Sequence, residues 1–119
     1  MKTVFASRTG NVEALIDKLG INDAIRIESG DETVDGDYVI FTYTDGYGEV
    51  PFEVDTFLSN NKDALKAVIS SGDIGHGEEV FAKAGDVIAE EYGVPCLYKF
   101  EHDGTDDDVT NIKNKLAEM

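Results

Sequence analysis

Five short apolar runs alternate with stretches of helical period along this chain of 119 residues, and that alternation leaves few ways to fold. The runs lie at about Thr3 to Ala6, Ala24 to Glu28, Tyr38 to Tyr43, Ala67 to Ser70 and Cys96 to Phe100. Several are apolar without a break, as expected of strands covered on both faces. Helical spacing is found at about Val12 to Leu19, Phe52 to Ser59, Val80 to Tyr92 and Asp107 to Glu118. The punctuation agrees: Gly20 and Gly93 stand just past two helix ends, Pro51 suits the first turn of the second helix, and Thr105 with Asp108 has capping-box spacing. Ser29 to Gly36 is polar and holds no helical pattern, so the second and third strands are expected to join through a short or looped connection. The expectation is one α/β domain over residues 1–119, an open parallel sheet of five strands with right-handed crossovers and helices on both faces.

In such sheets ligands gather beyond the carboxyl ends of the strands, where the strand order reverses. With the order 2-1-3-4-5, the loops after strands one and three are neighbours there. The first is Ser7-Arg8-Thr9-Gly10-Asn11, with Val12 opening the helix; the second is Thr42-Tyr43-Thr44-Asp45-Gly46-Tyr47-Gly48. After strand four comes Ser71-Gly72-Asp73-Ile74-Gly75-His76-Gly77. Hydroxyls, a glycine and an amide at a helix start leave backbone N–H groups converging beside the positive end of the helix dipole, which suits a phosphate. A plain N-cap uses the same residue types. In the second loop Tyr43 and Tyr47 offer flat faces, and Gly46 lets its peptide take either orientation. A phosphate at one end and a planar ring at the other describe a flavin mononucleotide (FMN). Each feature also has an ordinary role: packing for the tyrosines, turns for the glycines, a solvated loop position for His76. His102, beyond strand five, reads as surface, and Asp45, Glu49, Asp73, Glu78 and Glu79 read as rim charges whose potential disfavours an anionic ring.

Charge narrows the partners. With 25 acidic and 10 basic residues the formal net charge is −15, which repels nucleic acid and attracts a basic protein surface. No run approaches a membrane span, and Met1-Lys2-Thr3-Val4 leads straight into a strand, so a cytoplasmic protein is expected. The single cysteine, Cys96, excludes an internal disulfide or a cysteine-rich metal site and reads as a core thiol.

Several segments in order resemble one family: Ser7-Arg8-Thr9-Gly10-Asn11-Val12, Thr42-Tyr43-Thr44 with Gly46, Gly48 and Val50-Pro51, Ser71-Gly72, Ala84-Gly85-Asp86, and Val94-Pro95 through Leu97-Tyr98-Lys99-Phe100-Glu101 to Gly104-Thr105. The chain is similar in these to NrdI, the flavodoxin-like protein that works with class Ib ribonucleotide reductase. The resemblance implies a flavodoxin-like sheet and non-covalent FMN. It implies an accessory flavoprotein, not an enzyme, which takes electrons from an unidentified flavin reductant. Oxidant derived from reduced flavin, taken to be superoxide, or electrons would then pass to the dimanganese β subunit for tyrosyl-radical assembly. By that analogy the first loop holds phosphate, Thr42 to Gly48 flank ribityl chain and ring with the Gly46 peptide facing N5, and Ser71, Gly72, Asp73, His76 and Gly77 close the other ring edge. The fourth loop departs from the family pattern, with Ile74 at an arginine position, His76 at an aromatic one and an extra residue before Ala84. A one-electron flavodoxin shuttle and a cofactor-free acidic interaction domain are the alternatives. A response-regulator receiver lacks its acidic pair at Ala6-Ser7, and a low-molecular-weight tyrosine phosphatase lacks its first-loop cysteine.

Overall fold

The computed structural model describes residues 1–119 apart from the side chain of His76. The chain runs β1 (Lys2–Phe5), α1 (Asn11–Lys18), β2 (Ile25–Arg26), β3 (Tyr38–Thr42), α2 (Phe52–Asn61), β4 (Leu65–Gly72), α3 (Lys83–Tyr92), β5 (Cys96–Glu101) and α4 (Asp106–Ala117). Every strand pairing is parallel, and the order is β2-β1-β3-β4-β5. This is the flavodoxin-like sheet expected from the alternation of elements. No helix is long and apolar enough to cross a membrane.

Period-two alternation along the fully buried β3 sorts the two faces. Tyr38 and Ile40 join Val4, Val68 and the α2 and α3 side chains Val54, Phe57, Leu58 and Ile88 in one core layer. Val39 and Phe41 join Phe5, Ile69 and the α1 and α4 side chains Val12, Leu15, Ile16 and Ile112 in the other. Burial of each large apolar side chain contributes about 1.5–3 kcal/mol, so both layers hold the helices to the sheet. Tyr38 meets Phe57 edge to face at 5.7 Å and donates its hydroxyl to the carbonyl of Asn61 at 2.9 Å. Helix α3 comes closest to the sheet at Gly85, where a Cβ would lie 2.7 Å from Ser70 Cβ and 2.8 Å from Cys96 Sγ. Cys96 is half-buried against this core, and burial pushes its thiol up, which keeps it protonated.

Three boundaries differ from the sequence reading, each for a local reason. Strand β4 runs from Leu65 to Gly72 because Ser71 and Gly72 continue the ladder against Phe100 and Glu101. Helix α3 starts at Lys83 rather than Val80, since Ala82 sits at φ 49° and breaks the helical path. Strand β2 shrinks to two residues. The connection from there to β3 contains no helix, as its polarity suggested, and is ordered by one carboxylate. Glu32 accepts N–H bonds from Glu28 and Gly30 at 2.9 Å and from Ser29 at 3.2 Å. Asn61 at the end of α2 holds the other side of this loop, donating to the Glu32 carbonyl at 3.1 Å and accepting from Val34 N–H at 3.3 Å.

The expected capping box begins α4. Thr105 Oγ1 accepts from Asp108 N–H at 3.1 Å, Asp108 accepts from Thr105 N–H at 2.8 Å, and its second oxygen accepts the Tyr98 hydroxyl at 2.6 Å. Burial works against the Asp108 charge, but the Tyr98 and Thr105 donors outweigh it and hold the carboxyl below its ordinary value. A depressed carboxyl stabilises the fold above its unfolded-state pKa and loses that contribution as pH falls through the folded value. Asp108→Asn should therefore lower the urea midpoint at pH 7 and narrow its gap from the wild type below about pH 4. A gap of constant size across that range in urea titrations would contradict this account.

Candidate functional site

Strands β1 and β3 lie side by side, yet α1 leaves toward one face and α2 toward the other, so the loops between them part at the carboxyl edge. The gap is a cleft of about 350 Å³. Ser7, Arg8, Thr9, Asn11 and Val12 line one wall, Tyr43, Thr44, Asp45 and Gly46 the next, and Ser71, Gly72, Asp73 and His102 the far end.

The first wall is built by Gly10. At φ 90° it turns the chain sharply into α1, a conformation that disfavours any side chain, and nothing lies within 4 Å of where its Cβ would be. Ser7 Oγ accepts the Glu13 N–H at 3.3 Å, while the N–H groups of Asn11 and Val12 have no partner within the helix by its geometry. These amides, with the Thr9 hydroxyl and the Asn11 amide, form a set of neutral donors beside the helix N-terminus. Arg26 braces the loop from behind: its guanidinium donates to the Ser7 carbonyl at 3.1 Å and to Glu13 at 2.9 Å. That bracing follows from the register that sets Phe5 beside Arg26.

The second wall is an ionic chain. Arg8 pairs with Asp45 at 2.8 Å and lies 4.9 Å over the ring of Tyr43, whose hydroxyl donates to Glu53 at 2.5 Å. Burial, then the Glu53 carboxylate, push the Tyr43 phenol up to about 12. Arg8 holds the Asp45 carboxyl below its ordinary value, and its own charge is reinforced by Asp45 and Tyr43. Beyond Asp45 the backbone makes a tight turn, with Gly48 and Glu49 N–H donating to the Asp45 carbonyl at 3.1 and 2.8 Å. Gly46 stands at its tip with φ 50° and donates its N–H to Asp45 Oδ1 at 3.0 Å.

Thr44 joins this wall to the sheet. Its hydroxyl donates to the Ser71 carbonyl at 2.9 Å, lies 3.3 Å from Ser70 Oγ and accepts the Ala84 N–H at 3.4 Å. At the far end Asp73 accepts from Gly75 N–H at 2.8 Å, Glu101 accepts from Ile74 N–H at 3.0 Å, and His102, at φ 56°, donates its N–H to the Gly72 carbonyl at 3.3 Å. Ligand atoms of Asp73, Glu101 and His102 fall within 4.8 Å of one another, and each carboxylate accepts one backbone N–H through one oxygen.

Most of the residues singled out from the sequence thus meet at one cleft. Five do not line it. Gly10 stands behind the loop as the cap, and Thr42 is fully buried with its hydroxyl turned to the Tyr43 carbonyl. Tyr47 and Gly48 border a separate groove with Lys83 and Val87. Gly77 lies outside the lining, and the side chain of His76 lies outside the described residues. Two contributors went unread. Arg26 is visible only once β2 is placed beside β1, and His102, read as surface, enters the cleft because β5 ends beside β4.

The donor set fits a nucleotide of the flavin class. Neutral N–H and hydroxyl donors converge for a phosphate, a glycine turn and Tyr43 lie a loop away, and the volume suits a small-molecule site. The sequence model of a family described as NrdI flavodoxin-like matches residues 3–114. Among solved structures, a short-chain flavodoxin associated with a non-canonical PDU bacterial microcompartment is similar in fold, with a TM-score of 0.68 and 24% identity over 99% of this chain and 95% of that one.

Replacing Thr44 by Val removes the hydroxyl that links the second wall to β4 and α3. The expected cost is about 1 kcal/mol, read as a lower urea midpoint with an unchanged slope. An unaltered midpoint would mean that the Thr44 hydroxyl bonds carry no weight in solution.

Proposed function

The chain belongs to the NrdI flavodoxin-like family, and from that membership and the donor set of its cleft we propose that it binds FMN and activates class Ib ribonucleotide reductase. When bound, FMN supplies the reducing equivalents from which superoxide or electrons reach the dimanganese β subunit for tyrosyl-radical assembly. Asn11 and Val12 amides, with Thr9 and Asn11 side chains, hold the phosphate at the positive end of α1. Tyr43 to Gly46 face the ribityl chain and ring, and the Gly46 peptide turns toward N5, a rotation that glycine allows. Ser71, Gly72 and Asp73 border the opposite ring edge, and Tyr47 and Gly48 shape the outer side of the second loop. The observation that carries this reading is the cradle of neutral donors at the β1–β3 reversal, beside a family match spanning residues 3–114.

The acidic surface supports the partner assignment. A net charge of −15 favours a basic docking face and disfavours nucleic acid. The intended setting is the cytoplasm, and a cellular flavin reductant supplies the electrons.

The reading is tested in two steps. FMN titration, followed by quenching of flavin fluorescence, should show saturable binding by the wild type. Gly10→Asp should weaken it severely, because a side chain opposes φ 90° at the turn into α1 and a negative charge is added at the helix N-terminus. FMN-loaded protein reduced anaerobically, then mixed with oxygen and manganese-loaded class Ib β subunit, should yield the tyrosyl radical in electron paramagnetic resonance spectra. FMN binding without radical formation would favour a one-electron shuttle, and failure to bind FMN would favour an interaction domain.

A further inference from the structure

Arg8 is the one arginine or lysine among the described residues that line the cleft, and it is already engaged. Its guanidinium reaches from the first loop across to Asp45, at 2.8 Å, and lies against Tyr43. The Asp45 carboxylate is held in place on its own side, since its other oxygen accepts the Gly46 N–H at 3.0 Å and its backbone anchors the turn to Glu49. Carboxylate and phosphate oxygens ask the same thing of a guanidinium, namely paired N–H donors and a positive charge. One guanidinium serves either fully only at the expense of the other.

We propose that Asp45 is a built-in competitor for the anion site. By pairing with Arg8 it withholds the cleft's permanent cation from the phosphate, and so sets both the affinity for a phosphorylated flavin and its sensitivity to salt. This rests on the reading of the cleft as a flavin nucleotide site. The pair is well placed to yield and reform. Arg8 and Asp45 side chains are 54% and 38% exposed, so their attraction is weakened by water and is small enough for a dianion to contest. With Arg8 held, recognition falls to uncharged donors, and binding depends little on ionic strength. A flavin without phosphate brings no anion to contest the guanidinium, so it gains less than FMN when Arg8 is released. Asp45 is thus a residue that separates phosphorylated from unphosphorylated flavin by acting through Arg8.

The test is a titration of wild type, Asp45→Asn, Arg8→Gln and the double variant with FMN and with riboflavin, at low salt and at about 1 M salt. Asparagine keeps an oxygen for the Gly46 N–H while losing the charge. Asp45→Asn should tighten FMN about three- to fivefold relative to riboflavin at low salt, with that difference fading at high salt. In the Arg8→Gln background the same change should have no effect on FMN. Asp45→Ser should act in the same direction as Asp45→Asn, with thermal melts showing both variants folded. Unchanged FMN affinity in Asp45→Asn would overturn the proposal, as would equal tightening of FMN and riboflavin or a gain that survives Arg8→Gln. A wild type that binds neither flavin would instead overturn the reading of the cleft itself.

Discussion

Everything functional in this molecule depends on the parallel pairing of β1 with β3. Lys2 to Phe5 lie against Tyr38 to Phe41, and the ladder is extended by one bond from Ala6 N–H to the Phe41 carbonyl at 3.0 Å. Two parallel strands must send their connections to the next elements over opposite faces whenever the order reverses between them. The gap between α1 and the β3–α2 turn is therefore a product of topology, and side chains only furnish it. The two core layers fix the angle at which those loops part, since Val12 and Leu15 hold α1 to one face while Val54 and Phe57 hold α2 to the other.

Within that gap Arg8 is neutralised by Asp45, and Arg26, outside the lining, by Glu13. What remains toward the ligand is a set of neutral donors at one end and negative groups such as Asp73 at the other. Neutral donors suit a phosphate and nearby carboxylates disfavour negative charge on a ring, which is the asymmetry that the proposed FMN site calls for.

The fold was readable because its signals are local and redundant. Continuous apolar runs, helical spacing, Gly93 beyond α3 and the Thr105–Asp108 box all reflect short-range chemistry that survives in any context. The parallel sheet follows from those elements, and its order is the flavodoxin-like one that the resemblance implies. Less readable were features that exist only after assembly. Ser71 and Gly72 look like loop residues until β5 is beside them, and Ala82 gives no sign of its positive φ. His102 enters the cleft, and Arg26 supports it, through strand neighbours far away in the chain. Tyr43 was read as a stacking surface, but its face is covered by Arg8 and its hydroxyl is tied to Glu53, neither of which sequence spacing encodes.

The loop that replaces a helix between β2 and β3 has a reach beyond its own neighbourhood. Its order is concentrated in Glu32, which gathers three N–H groups, and in Asn61, which ties it to α2. Strand β2 is only two residues long and ends at Arg26 immediately before this loop. Ile27, buried and bonded to the Phe5 carbonyl at 2.8 Å, joins this strap to the sheet, so loosening of the strap would reach β2 through it. Arg26 would then withdraw from the Ser7 carbonyl, so the steadiness of the first-loop wall is underwritten from the outer margin of the sheet rather than from beneath the cleft.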